Sequence, residues 1–119
     1  MVKPACHFDL VVEDSTSQKA FYQYVFEWEF DAPEENHQFI SGLYSPQASG
    51  GMYLKDTPPR LILCIHVASV TNTLNKVKDK LPNGFRLGPL SHPLGGKYGV
   101  FMDPENILMG CYEGPLRTP

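Results

Sequence analysis

Two short stretches of this 119-residue chain pair side chains that could do chemistry. His7 and Asp9 stand two apart in HFDLVV, and Cys64 and His66 stand two apart in RLILCIHV. In an extended strand each pair falls on one face. Imidazole, carboxylate and thiolate are the donors that bind zinc, and the same groups serve as base and nucleophile. Two residues span about 6–7 Å along a strand, so His7 and Asp9 meet directly only in favourable rotamers. Cys64–His66 is the nearest nucleophile–base pair, although a buried cysteine is commonly inert packing. Tyr53 in GGMYLK and Tyr112 in MGCYEG share the parity of Gly51 and Gly110, while Tyr44 and Tyr98 lie near strand ends. Phenols and imidazoles around a cup suit a small, partly aromatic or polar organic ligand, and each tyrosine can equally be core. SHPLGGKYG at 91–99 lacks the spacing and following helix of a phosphate loop. It reads as a turn hinged at Gly95 and Gly96, with His92 and Lys97 as polar contacts, or as a plain surface turn.

The elements that must position these groups follow from periodicity. His7–Val12 alternates as a strand, and Asp14, Ser15 or Thr16 can cap the helix after it. Phe21, Val25 and Trp28, with Tyr22 and Phe26 beside them, form that helix's buried face. Strands are expected at 29–31, 37–44 and 50–55, with PEEN at 33–36 a loop and DTPP at 56–59 dividing the chain. The second half restarts with a strand at 60–67. A helix capped by Ser69 or Thr71 follows, striped by Val70, Leu74, Val77 and Leu81 and stopped at Asn83-Gly84. Strands then come at about 85–90, 97–102 and 107–113, the last pair joined by DPEN with Asn106 taking positive φ. Strand-helix-strand-strand-strand thus occurs twice, which is an internal repeat. The expected fold is α+β: two βαβββ modules, about 5–56 and 59–114, in a single domain over 1–119. They form a cupped eight-stranded mixed sheet, or open barrel, with two flanking helices.

Composition narrows the partners. A net charge of −3 with no basic run argues against nucleic acid. No apolar run approaches a bilayer span, and MVKPACHF lacks a secretory core, so no membrane partner and a cytoplasmic location are expected. Cys6, Cys64 and Cys111 have no paired spacing, which reads as free thiols and no structural zinc.

The repeat, together with HFDLVVED, AFYQYVFEWEF, GGMY and YGVFMDPEN…GCYE, resembles the glyoxalase/bleomycin-resistance/extradiol-dioxygenase superfamily, the vicinal oxygen chelate proteins. The resemblance spans essentially the whole chain and implies paired βαβββ modules, often a homodimer. In metal-dependent members it implies four ligands from the first and fourth strands of each module. Aligning VVED with HVAS places Ile62 where the second module would carry the counterpart of His7. The carboxylate expected seven residues after Asp103 falls on Gly110, and its counterpart on Gly51. One ligand of four is left, so the resemblance implies a degenerate metal site in which His7 faces the cavity without being a ligand of the usual kind. No cofactor is expected. The residues expected to line a small-molecule site are His7, Asp9, Tyr53, Cys64, His66, Tyr98 and Tyr112. The glycines either admit a ligand close to the sheet or bend the barrel. Two alternatives stay open: a lyase or dioxygenase with a divalent metal such as zinc displaced to His7 and His66, and a ligand-free interaction module.

Overall fold

The protein is described from a computed structural model covering residues 10–34, 37–41, 60–92 and 95–115, with backbone alone for 31–34 and 37–41. Helix α1 runs Ser15–Phe26. Asp14 is its cap, accepting from the Ser17 N–H at 3.2 Å and the Ser17 hydroxyl at 3.0 Å. Those bonds satisfy amides that the first turn leaves open, and they hold the Asp14 carboxyl below its ordinary value. The helix ends where Glu27 turns left-handed at φ 58°.

Strands β1 (Glu29–Glu34) and β2 (His37–Ser41) pair antiparallel, with an irregularity between Asp31 and Glu34. The ladder therefore runs past Asp31 through Pro33, into residues expected to be loop. Leu10–Val12 carry no ladder among the described residues, and the strand expected at 50–55 lies outside them.

The second half folds as expected. Strand β3 (Leu63–His66) leads to α2 (Val70–Lys80), then β4 (Phe85–Ser91), β5 (Lys97–Met102) and β6 (Leu108–Glu113). The sheet order is β3-β6-β5-β4, with β3 parallel to β6 and the other neighbours antiparallel. This is one complete βαβββ unit; eight strands and a closed cup are not among the described residues. Ser69 caps α2, accepting from the Asn72 N–H at 3.1 Å. Neither residue of Asn83-Gly84 stops the helix by a left-handed turn. Leu81 precedes Pro82 and is already extended (φ −145°, ψ 81°), the conformation a following proline enforces. Gly84 is needed instead for close approach: a Cβ there would lie 2.7 Å from the Met102 carbonyl oxygen.

Both helices cover one face of this sheet. Phe21, Tyr22, Val25 and Trp28 of the first half pack with Val77, Phe101 and Met109, while Val70 and Leu74 close over Cys111. The Tyr22 and Trp28 rings stack at 4.6 Å, and Phe26 stacks on Phe101 at 5.5 Å. Burying Phe21, Phe101 or Met109 contributes about 1.5–3 kcal/mol each. The aromatic cluster of α1 is core, and it reaches the sheet of the second module.

Asp103 ties the two halves together. It is almost fully buried, and its Oδ2 accepts from Gln18 Nε2 and from the Tyr22 hydroxyl (3.0 Å). Its Oδ1 accepts from the Glu105 and Ile107 N–H groups, both at 3.0 Å. Burial first, and then the Asp103 charge, push the Tyr22 phenol far up, so it stays a donor. Asn106 takes φ 63° in the turn, as its type allows. Glu105 reaches back to the start of α1, accepting from the Glu13 N–H at 2.7 Å. No described helix is long and apolar enough to cross a membrane.

Candidate functional site

Register sorts the sheet's side chains between two faces. Gly99 pairs with Cys111, and both turn toward α2, where Leu74 would meet a Cβ on Gly99 at 2.7 Å. Their neighbours turn the other way. His66 pairs with Tyr112, Tyr112 with Tyr98, and Tyr98 with Leu90, so one row crosses all four strands on the face away from the helices. The next row is Cys64, Gly110, Val100 and Leu87. Cys64, His66, Leu87 and Leu90 are exposed there among the described residues. The strand parity that joins Cys64, His66, Tyr98 and Tyr112 therefore holds. His7, Asp9 and Tyr53, with Gly51 and Tyr44, lie outside the described residues.

Gly110 has a use that alternation alone does not show. A Cβ built on it would stand 2.7 Å from the Cys64 sulfur, 3.3 Å from Ile62 Cγ2 and 3.5 Å from the Gly99 oxygen. The space a side chain at 110 would enter is held by a thiol and an aliphatic branch from β3. The atom that approaches this glycine is the chain's own Cys64 Sγ.

The tyrosine and histidine row ends in a set of internal hydrogen bonds. The Tyr112 hydroxyl shares its proton between the carbonyls of Pro115 (2.8 Å) and Gly95 (3.0 Å), so its ring lines the face while its polar end is occupied. His66 Nε2 lies 3.0 Å from the Gly114 carbonyl oxygen, which can only accept. Sequence reasoning placed His92 on a loop; it stands beside this row, its ring edge-on to Tyr112 at 4.8 Å and to Tyr98 at 5.7 Å. The His92 N–H donates to Gly96 O at 3.0 Å and the Gly95 N–H to His92 O at 2.9 Å, closing the turn on itself. Gly96 is required there: φ is +80°, and a Cβ would fall 2.0 Å from the Glu113 oxygen.

Lys97 departs from expectation. It pairs with Glu113 on the helix side of the sheet, because it alternates with Tyr98. Glu113 accepts from the Val70 N–H at 2.9 Å and so caps α2, a use for a carboxylate at a helix start that also removes it from the open face.

The thiols are poor nucleophiles. Burial pushes Cys111 up to about 12, and desolvation by the surrounding sheet raises Cys64 even though that residue is exposed overall. His66 Nε2 is turned to Gly114 O and does not serve the sulfur as a base. Among the described residues no three His, Cys, Asp or Glu side chains group as a metal centre. At the opposite end of the sheet an open depression of about 450 Å³ is lined by Val11, Glu13, Pro104, Glu105, Asn106 and Ile107. It belongs to the Glu105 clasp on α1. The residue that sequence reasoning missed altogether is Asp103 as a long-range acceptor; its partners Gln18 and Tyr22 lie more than eighty positions away, where no local pattern reaches.

No protein-family profile and no curated protein matches this chain. Solved structures do. The fosfomycin resistance protein FosX from Listeria monocytogenes superposes with a TM-score of 0.68 at 20% identity, over 98% of this chain and 97% of that one. A glyoxalase/bleomycin resistance protein/dioxygenase family enzyme from Burkholderia phytofirmans PsJN gives 0.64 at 16%, over 86% and 91%. TnmS3, an antibiotic binding protein from Streptomyces sp. CB03234, gives 0.59 at 18%, over 96% and 100%. At such identities the likeness carries the backbone and nothing finer. The βαβββ unit and these superpositions agree: the chain has the glyoxalase/bleomycin-resistance fold.

Proposed function

We propose that this protein binds a small organic molecule on the open face of the β3-β6-β5-β4 sheet without a metal ion. The observation that carries the reading is the slot at position 110. Metal-dependent members of this fold place imidazole or carboxylate donors there and at the position of Ile62. Here Ile62 has no lone pair, Gly110 has no side chain, and Cys64 Sγ fills the gap. A thiol raised by desolvation is also a weak ligand, since a metal takes the thiolate. These residues do not fit the divalent ion of the family. What lines the face instead is Tyr112, Tyr98, His66 and two leucines, an apolar and aromatic floor with sparse polar groups. One similar structure, TnmS3, is named as an antibiotic binding protein, a role that needs capture alone. A homodimer is part of this reading, because β3 and β4 are edges of the sheet among the described residues.

The experiment is a thermal-shift screen of aromatic and polar small molecules in the presence of EDTA, with elemental analysis of the purified protein. A compound at about 100 times its Kd adds about 2.7 kcal/mol to stability, a shift of several degrees. The reading is overturned if no compound stabilises the chain while zinc or nickel alone does, at stoichiometric metal content. Light scattering at twice the monomer mass checks the dimer.

A further inference from the structure

The binding reading above leaves open which chemical group the face selects, and the hydrogen bond at His66 bears on it. Gly114 O is a carbonyl and can only accept, so the proton of a neutral His66 sits on Nε2. The carbonyl is held in place. Gly114 has φ +140°, and a Cβ on it would meet the Tyr112 hydroxyl at 2.8 Å and Gly96 Cα at 3.0 Å, so the backbone is packed tightly from two sides. Val67 N–H donating to Tyr112 O at 2.8 Å continues the β3–β6 ladder just past His66. One ring nitrogen is thus tied to a fixed acceptor, and the other, Nδ1, is left as a lone pair on an exposed residue.

We infer that His66 Nδ1 is the hydrogen-bond acceptor of the ligand site, and that the site selects a neutral flat ring carrying an O–H or N–H donor. A lone pair selects a donor. The neighbouring Tyr112 ring, 6.0 Å from the His66 ring and edge-on to His92, selects a flat partner. Neutrality follows from charge. Within the four strands the cations are Lys97, on the helix side, and Arg86, whose Nη1 donates to the carbonyls of Asn83 and Phe85. The strands themselves offer an anion no fixed cation on this face.

The test uses ¹⁵N-imidazole NMR and a matched probe pair, indole and 1-methylindole, which differ in the N–H donor. His66→Phe keeps a flat ring at this exposed position and removes both ring nitrogens, the accepting one included. The expected result is the Nε2–H tautomer for His66 and a shift of its Nδ1 resonance on adding indole. Indole should bind about 5- to 10-fold more tightly than 1-methylindole, the yield of one net hydrogen bond. In His66→Phe, which has no acceptor, the two probes should bind alike, at the 1-methylindole level. An Nδ1–H tautomer overturns the inference. So do equal affinities in the unmodified protein, or a preference that survives in His66→Phe; binding of either probe in those cases leaves the pocket reading standing. Failure of both probes to bind also overturns it, while the wider compound screen then judges the pocket separately.

Discussion

Asp103 offers the sharpest quantitative test of how the two halves are joined. Its carboxylate is 1% exposed and accepts four hydrogen bonds: from Gln18 Nε2, the Tyr22 hydroxyl, and the Glu105 and Ile107 N–H groups. In Asp103→Asn the remaining oxygen keeps the two backbone donors, and an amide N–H replaces the oxygen that faces Gln18 and Tyr22. Two charge-assisted bonds are lost at about 1.5–3 kcal/mol each. Gln18 Oε1, which has no partner among the described residues, can turn to accept from the new N–H and recover about 1 kcal/mol. The net expectation is about 2–5 kcal/mol, or roughly 10–20 °C in Tm for a domain of this size. Tyr22→Phe alone should cost about 1 kcal/mol. The double variant should be less destabilised than the sum, because each change removes the same bond. Urea melts with unchanged m-values measure all three. Asp103→Ala leaves four buried donors unpaired, a loss comparable with the whole stability of about 5–15 kcal/mol, and should not accumulate folded. An Asp103→Asn protein within about 0.5 kcal/mol of the parent, or strict additivity with Tyr22→Phe, refutes the argument.

The Asp14 cap predicts a pH signature. Its folded value is lowered below 3.8 by the Ser17 N–H and hydroxyl, so its stabilisation is fully present above about pH 4 and fades as pH falls through the folded value. Asp14→Ala should melt lower than the parent at about pH 7, and the gap should close at about pH 2; a gap that persists in acid contradicts the cap. The thiols should separate on alkylation with peptide mapping. Cys64 should label slowly in the native protein, and Cys111, pushed to about 12, only on unfolding. Native labelling of Cys111 at the Cys64 rate would contradict the burial.

Much of this architecture is legible in the chain because its signals are local. Phe21 and Val25 recur at helical spacing and are buried on α1, whereas Trp28, expected on the same helix, is buried just past its end at Phe26. DPEN contains a proline and an asparagine suited to a reverse turn, and Asn106 adopts the positive φ. Parity alone put Cys64, His66, Gly110 and Tyr112 on one face, since a strand has only two faces to choose from. Boundaries were less legible. Pro33 did not stop β1, and α2 stopped one turn before its glycine because Pro82 had already made Leu81 extended.

What the sequence determined by itself, among the described residues, is the order of elements from β3 to β6 and the side of the sheet on which Cys64, His66, Tyr98 and Tyr112 stand. These follow from backbone sterics and periodicity, which act over a few residues. What tertiary structure alone decided is where polar ends are spent. Tyr112 turns its hydroxyl to Gly95 and Pro115, Glu113 caps α2, Cys64 fills the void at Gly110, and Asp103 gathers Gln18 and Tyr22 from across the chain. Hydrogen-bond satisfaction and close packing depend on which atoms arrive together in space, and sequence distance carries no record of that.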